Sequence, residues 1–299
     1  MTTSHMGFDP TCQRRWLNPD WSPGGVVALD AQIDPSAYIA STATIGSRAV
    51  VGRDSSIQRG SVIGSDVHIG ANVVIRADVK IGTGAKMADG CCLSEGACLG
   101  SNAFVGRLSQ IGRDARVGAN TKIHEDVYVL PHAIIGCESH ILSRSKIGTY
   151  AEIGDSVLLG EKVAILDCAR VLYGASVGTD SIVEEISLIG YGARLANNVH
   201  IMRESRVGNS ASVGAHSTIH PNVDIENGAW LGKSVTVKPY VRVGPFASIL
   251  ESAYLDDYAV VKKNGMVYPR TRVPAHQVIR ADKSLDKGAG MLRPARTFL

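Results

Sequence analysis

Aliphatic residues recur at every sixth position, without a break, from Ile33 to Ile279. The column opens Ile33, Ile39, Ile45, Val51, Ile57, Ile63 and Ile69 and closes Val261, Val267, Val273 and Ile279. Four residues after each of them, from Ala37 to Gly265, stand only Ala, Ser, Val, Thr, Cys or Gly. Helices repeat every 3.6 residues and strands every two, so neither accounts for a period of six. Corners are marked by Pro35, Pro131, Pro221, Pro239, Pro245 and Pro269, each two residues after an aliphatic position. A fixed φ and a missing N–H suit a turn there and not a strand. Glycine gathers one residue after the aliphatic position, as in Gly46, Gly64, Gly82, Gly100, Gly118 and Gly136. The expectation is that the chain begins to bend there, where a Cβ is least welcome.

This period resembles that of the left-handed parallel β-helices built from hexapeptide repeats. The resemblance covers about four fifths of the chain and implies an all-β fold, a single left-handed parallel β-helix of about fourteen triangular coils. Each hexapeptide would supply a short strand and a corner, with the aliphatic side chain stacked on its equivalent eighteen residues later. At about 4.8 Å per coil the prism would be roughly 65 to 70 Å long. The left hand comes from the resemblance, since parallel crossovers are otherwise right-handed.

The unbroken register argues for one solenoid over 33–279, whose core grows linearly with length. Residues 1–32 lie outside it and carry Trp16, Leu17, Trp21, Val26, Val27 and Leu29, apolar enough to cap the first coil. Solenoid ends expose unpaired strand edges and need such a cover. Residues 280–299 form a basic tail with Arg280, Lys283, Lys287, Arg293 and Arg296.

Aromatics make up 5% of the 299 residues, in keeping with a narrow interior of Ile, Val and Leu. A net charge of +3, with Lys and Arg spread along the chain, argues against nucleic acid as a partner. No apolar run reaches membrane-spanning length. The six cysteines lack CxxC spacing and read as small buried or turn residues in a reducing compartment, so cytoplasm is expected, with an organelle not excluded.

Outward positions flank each aliphatic residue. One face presents the charged ladder Arg116, Glu152, Arg170, Arg206 and Arg242, and the others carry Val50, Val74, Phe104, Leu158, Ile182 and Trp230. Apolar residues on flat faces suggest self-association as a homotrimer or membership of a larger protein complex.

Candidate chemistry begins at Val73-Val74-Ile75-Arg76-Ala77-Asp78-Val79, followed by Ile81-Gly82 and Met87-Ala88-Asp89-Gly90. This stretch resembles the arginine and aspartate motif of the γ-class carbonic anhydrases, where both residues sit at subunit seams near a zinc bound by three histidines. Arg76 and Asp78 match. Ala88 replaces the motif's Gln, Ser94 the first zinc ligand and Ala119 the second, leaving His124 as the third. Zinc catalysis needs three protein ligands and an open position, so no cofactor is expected. His124 and His140 share a face in successive coils, with Cβ atoms about 8 Å apart, and are the metal candidates that spacing offers. His200 and His220 form a similar diagonal on another face.

The first functional expectation is therefore a γ-carbonic-anhydrase-like structural rod lacking a complete zinc site, with Arg76 and Asp78 as seam ion pairs. The alternative is an acyltransferase that uses coenzyme A or acyl carrier protein. Acyl transfer needs a histidine base to deprotonate the acceptor, and His124, His216 and His220 are the candidates. His216 and His220 lie in Gly214-Ala215-His216-Ser217-Thr218-Ile219-His220-Pro221-Asn222, which resembles coils of sugar and lipid acyltransferases with this fold. No loop leaves the register and no histidine falls two residues after an aliphatic position, the two places relatives use.

Overall fold

A computed structural model describes residues 12–281, and over them the chain is a left-handed β-solenoid of parallel sheets. Two sheets have 14 strands and the third has 16. Each repeat strand is two residues long, the first facing out and the second, aliphatic, facing in. We call the sheet through Ile45 face A, that through Ile33 face B and that through Ile39 face C. Residues eighteen apart pair in register, as Ile75 does with Ile57 on one side and Leu93 on the other. The interior is one continuous column of such side chains, most with no accessible surface. No helix among the described residues is long and apolar enough to cross a membrane.

The corners are tight turns with proline where expected. At Leu130-Pro131-His132-Ala133 the Ala133 N–H donates to Leu130 O at 3.3 Å and His132 has φ of 61°. Proline first and a positive φ second is the type II pattern. The positive φ falls three residues after the aliphatic position, on Asp54, Asn72 and Gly60, but also on Tyr150 and Ile186. For a β-branched residue such as Ile186 that conformation is strained.

The glycines one residue after the aliphatic position have a different cause from the one expected. A Cβ on Gly118 would lie 2.5 Å from both Gly136 C and Cys137 N of the next coil, and one on Gly46 2.7 Å from Gly64 C. At these glycines the backbone of the next coil stands where a Cβ would go, although the same position carries side chains such as Gln58 and Arg76 elsewhere.

Buried serines tune the corners. Ser55 Oγ donates to Gly70 O at 2.8 Å and accepts the Val73 N–H at 3.1 Å, standing inside the turn of the coil above. The same insertion places Ser61 under Val79 and Ser205 under Val223. In each case the hydroxyl takes the place of the direct turn bond that alanine corners make, such as Ala97 N–H to Ser94 O at 3.2 Å. No buried side-chain polar atom among the described residues lacks a partner.

Before the first coil, β1 (Gln13–Leu17) pairs antiparallel with β2 (Pro23–Ala28), and β2 pairs parallel with the strand Thr44–Ile45 on face A. Val27 is fully buried and Trp16 packs against the core, while Trp21 is 80% exposed at the hairpin turn. Asn18 is buried and its carboxamide binds both backbone groups of Ile39. Of the basic tail at 280–299, residues beyond 281 lie outside the described residues.

Candidate functional site

On each face the residues just before and just after the inward aliphatic one both point outward. A residue after it in one coil therefore meets, on a diagonal, the residue before it in the next coil, sixteen positions on. Three acid–base pairs use this step. Glu226 meets Arg242 at 2.7 Å, Asp256 meets Arg272 at 2.7 Å, and Glu184 Oε1 lies 2.6 Å from His200 Nε2.

The Glu184–His200 pair stands on face C and is part-buried, with side chains 25% and 34% exposed. Glu184 Oε2 also accepts the Arg203 backbone N–H at 3.1 Å, so both carboxylate oxygens are held. An ionised carboxylate only accepts hydrogen bonds. Facing that carboxylate, Nε2 is the nitrogen that carries the proton whenever the His200 ring is neutral, and Nδ1 is then the acceptor. In that form the basic nitrogen is Nδ1.

One coil further on, His220 follows the strand Thr218–Ile219. Burial lowers its pKa from the ordinary histidine value, Lys238 and His200 lower it further, and Asp257 partly opposes them. His220 is thus held neutral to lower pH than a solvated histidine. Ser205 beneath it donates to His220 O at 2.8 Å and fixes the corner. Lys238, in register with His220, lies 5.8 Å from the Tyr254 ring centroid, and Arg272 stands 5.1 Å from the same ring.

The other expected residues are scattered. His216 occupies the corner after face B with φ of 60°. His124 lies on face B five coils earlier, about 24 Å away at ~4.8 Å per coil. The expected bases therefore do not form one site: only His220 shares face C with the Glu184–His200 pair. His140 is in register with Lys122, whose positive charge disfavours a cation there. Arg76 follows Ile75 on face C and Asp78 sits at the next corner with φ of 59°. Neither forms an ion pair with another described residue.

The positions matched to zinc ligands do not fit the metal. Ser94 lies on face C, Ala119 at the corner after face A and His124 on face B. Among the described residues no group of three or more His, Cys, Asp or Glu could hold a metal ion. Cys91 does not serve as a nucleophile either, because its thiol is buried against Gly106 O at 3.0 Å and burial pushes its pKa up to about 11.

Glu184 is the residue sequence reading missed. Its signal was available as a carboxylate one residue after an aliphatic position with a histidine sixteen residues on.

A family model described as bacterial transferase hexapeptide (six repeats) matches residues 60–95. The chain is a hexapeptide-repeat β-helix. No curated protein matches it. Solved structures similar to this β-helix include the UDP-N-acetylglucosamine acyltransferase of Francisella novicida, at 22% identity over 64% of this chain and 66% of that one, with a TM-score of 0.30. The UDP-N-acetylglucosamine O-acyltransferase of Moraxella catarrhalis RH4 is 19% identical over 59% of this chain and 70% of its own, with a TM-score of 0.27. The acetyltransferase domain of PglB from Neisseria gonorrhoeae FA1090, in complex with acetyl coenzyme A, is 20% identical over 40% of this chain, with a TM-score of 0.27. The chain spans about half of that domain's structure, 49%. At such scores the likeness adds nothing to what strand pairing already establishes.

Proposed function

We propose that this β-helix transfers an acyl group from a pantetheine thioester, on coenzyme A or an acyl carrier protein, to a hydroxyl or amine. His200 is the general base and Glu184 the residue that orients it. The observation that carries the reading is the 2.6 Å contact between Glu184 Oε1 and His200 Nε2, with the carboxylate's second oxygen fixed by backbone. The match to a transferase repeat model over 60–95 supports the reaction class.

In the reaction, His200 Nδ1 takes the acceptor's proton as its oxygen or nitrogen attacks the thioester carbonyl. The new C–O or C–N bond forms, the C–S bond breaks, and the thiolate leaves with the proton returned by the imidazolium. Neutral His220 and cationic Lys238 flank the same strip of face C, and Lys238 offers a positive charge to the oxyanion.

Thiol release from acetyl coenzyme A, followed with a panel of amino-sugar and sugar-alcohol acceptors, tests this. Acceptor-dependent release that His200→Asn abolishes is expected. Release that survives His200→Asn overturns the assignment.

A second reading, the structural rod, is favoured by a different observation. Phe104, Leu158, Trp230 and Met266 all stand exposed along face B. Exposed aliphatic and aromatic side chains on one flat sheet fit burial against a second copy, in a homotrimer or a larger complex. Sedimentation of the protein and of Leu158→Lys would decide it, since a rod that assembles through face B should dissociate. Thiols at Cys92, Cys98, Cys137 and Cys168 go with a reducing, cytoplasmic setting under either reading.

A further inference from the structure

About seven coils below His200, roughly 34 Å at ~4.8 Å per coil, face C carries a groove of about 460 Å³. Its shape follows from the columns. Ala40, Gln58 and Arg76 stack at the position after the inward aliphatic residue, and Tyr38 and Ser56 stack at the position before it. Small Ala40 and Ser56 form the floor, and Tyr38, Gln58, Arg59, Arg76 and Glu95 form the walls.

The charge of this groove is unbalanced. Arg48, Arg113, Arg170, Arg242 and Arg272 each meet a carboxylate at 2.6 or 2.7 Å. Arg59 and Arg76 are exposed and, like Arg53, Arg107 and Arg116 elsewhere, form no ion pair or side-chain hydrogen bond with any described residue, but only these two unpaired arginines line the groove. The one acidic wall residue, Glu95, is occupied by Arg113 at 2.6 Å. Arg59 and Arg76 thus line one recess whose other polar residues are Tyr38, Ser56, Gln58 and Glu95, and the single carboxylate among them is already paired with Arg113.

We propose that this groove binds a small phosphomonoester, with its dianion held by Arg59 and Arg76 and its organic part against Tyr38. Arginine forks suit phosphate oxygens bidentately, and the volume falls within the range of small-molecule sites. A carboxylate would carry one charge and two oxygens, and would leave one guanidinium unanswered. The site is remote from the His200 pair and does not depend on it.

Calorimetric titration of the full chain with phenyl phosphate, benzoate and phenol, at fixed ionic strength, tests the proposal. Phenyl phosphate should bind, benzoate about tenfold more weakly, and phenol not measurably. Arg59→Ala and Arg76→Ala should each weaken phenyl phosphate about tenfold or more. Arg76→Lys should recover part of the loss, because it keeps charge without the fork. Arg53→Ala, at an exposed corner outside the groove, should leave binding unchanged. All these positions are surface ones, and circular dichroism will verify that each variant is folded. Unchanged affinity in the Arg59→Ala/Arg76→Ala double variant overturns the proposal. So does an equal loss in Arg53→Ala, which would mark a diffuse field, or benzoate binding as tightly as phenyl phosphate.

Discussion

His200 Nε2 and Glu184 Oε1 lie 2.6 Å apart across one diagonal step of face C. Removing either partner should separate base chemistry from orientation. His200→Asn is expected to reduce acyl transfer by roughly 100-fold to 10,000-fold, the range of a lost general base. Glu184→Gln keeps the shape but allows the other tautomer, so a smaller loss in turnover is expected with the acceptor KM little changed. Steady-state kinetics of both variants check this. Equal rates for Glu184→Gln and the unaltered protein would remove Glu184 from the assignment.

His220 supplies a pH test. Its pKa is lowered in the fold by burial and then by Lys238, so the unfolded chain takes up the proton first as pH falls. The associated stability is complete above the ordinary histidine value, about 6.5. It is lost as pH falls from there through the lower folded-state value. The urea midpoint should therefore drop on acidification, and His220→Gln should flatten part of that drop. Parallel curves for the two proteins would show that His220 contributes no such linkage.

Much of this molecule was legible in its sequence, and the reasons are local. An unbroken six-residue column forces every aliphatic residue to the same inward place, so Ile75 and Ile57 had only one register to pair in. The prolines marked corners because a fixed φ suits the first central position of a type II turn. Glycines were read at the right positions for the wrong reason, since contact between coils is invisible until stacking distance is known. The site was harder. His216 and His220 are close in sequence, but His216 sits in the corner after face B while His220 follows the next strand on face C. Glu184 and His200 are sixteen residues apart and meet because the period is eighteen. Reading that pair required thinking along the diagonal between coils, where His124 and His140 were noted but the carboxylate was not.

Ser55 sits inside the turn of the coil above it, bonded to Gly70 O and Val73 N–H. Ser55→Ala removes the hydroxyl from a corner that Val73 holds open. Two backbone groups then lose their partner, at a cost of about 1 to 3 kcal/mol. Amide exchange at Val73 should accelerate, whereas Ala97 and other corners with direct turn bonds should be unaffected. Slow exchange at Val73 in the variant would mean that the corner closes on itself.

At the N-terminal end of the solenoid stands Asn18, whose Oδ1 accepts the Ile39 N–H at 2.8 Å while Nδ2 donates to Ile39 O at 3.1 Å. The side chain thereby acts as one more strand on the open edge of face C. We expect Asn18→Ala to free both groups and fray the first coil, with the middle of the rod intact because solenoid coils contact only their neighbours. Exchange should rise at Ile39 and remain low at Ile135. An unchanged Ile39 amide would show that the hairpin does not hold this edge.

Gly118 and Gly174 are both corner glycines, yet they are needed for opposite reasons. Gly118 has an ordinary φ but no room, with Gly136 C and Cys137 N each 2.5 Å from where its Cβ would go. Gly174 has φ of 67° and nothing within 4 Å of that point. Alanine at 118 must push two coils apart and disturb the strand bonds on both sides, so several kcal/mol of destabilisation is expected, as for other overpacked sites. Alanine at 174 incurs only the left-handed backbone cost, about 1 to 2 kcal/mol. Asparagine tolerates that conformation better, so Gly174→Asn should lie closer to the unaltered protein than Gly174→Ala. Thermal unfolding of the three variants would rank them, Gly118→Ala lowest and Gly174→Asn highest. If Gly118→Ala melted with Gly174→Asn, coil contact would not be what excludes a side chain at 118.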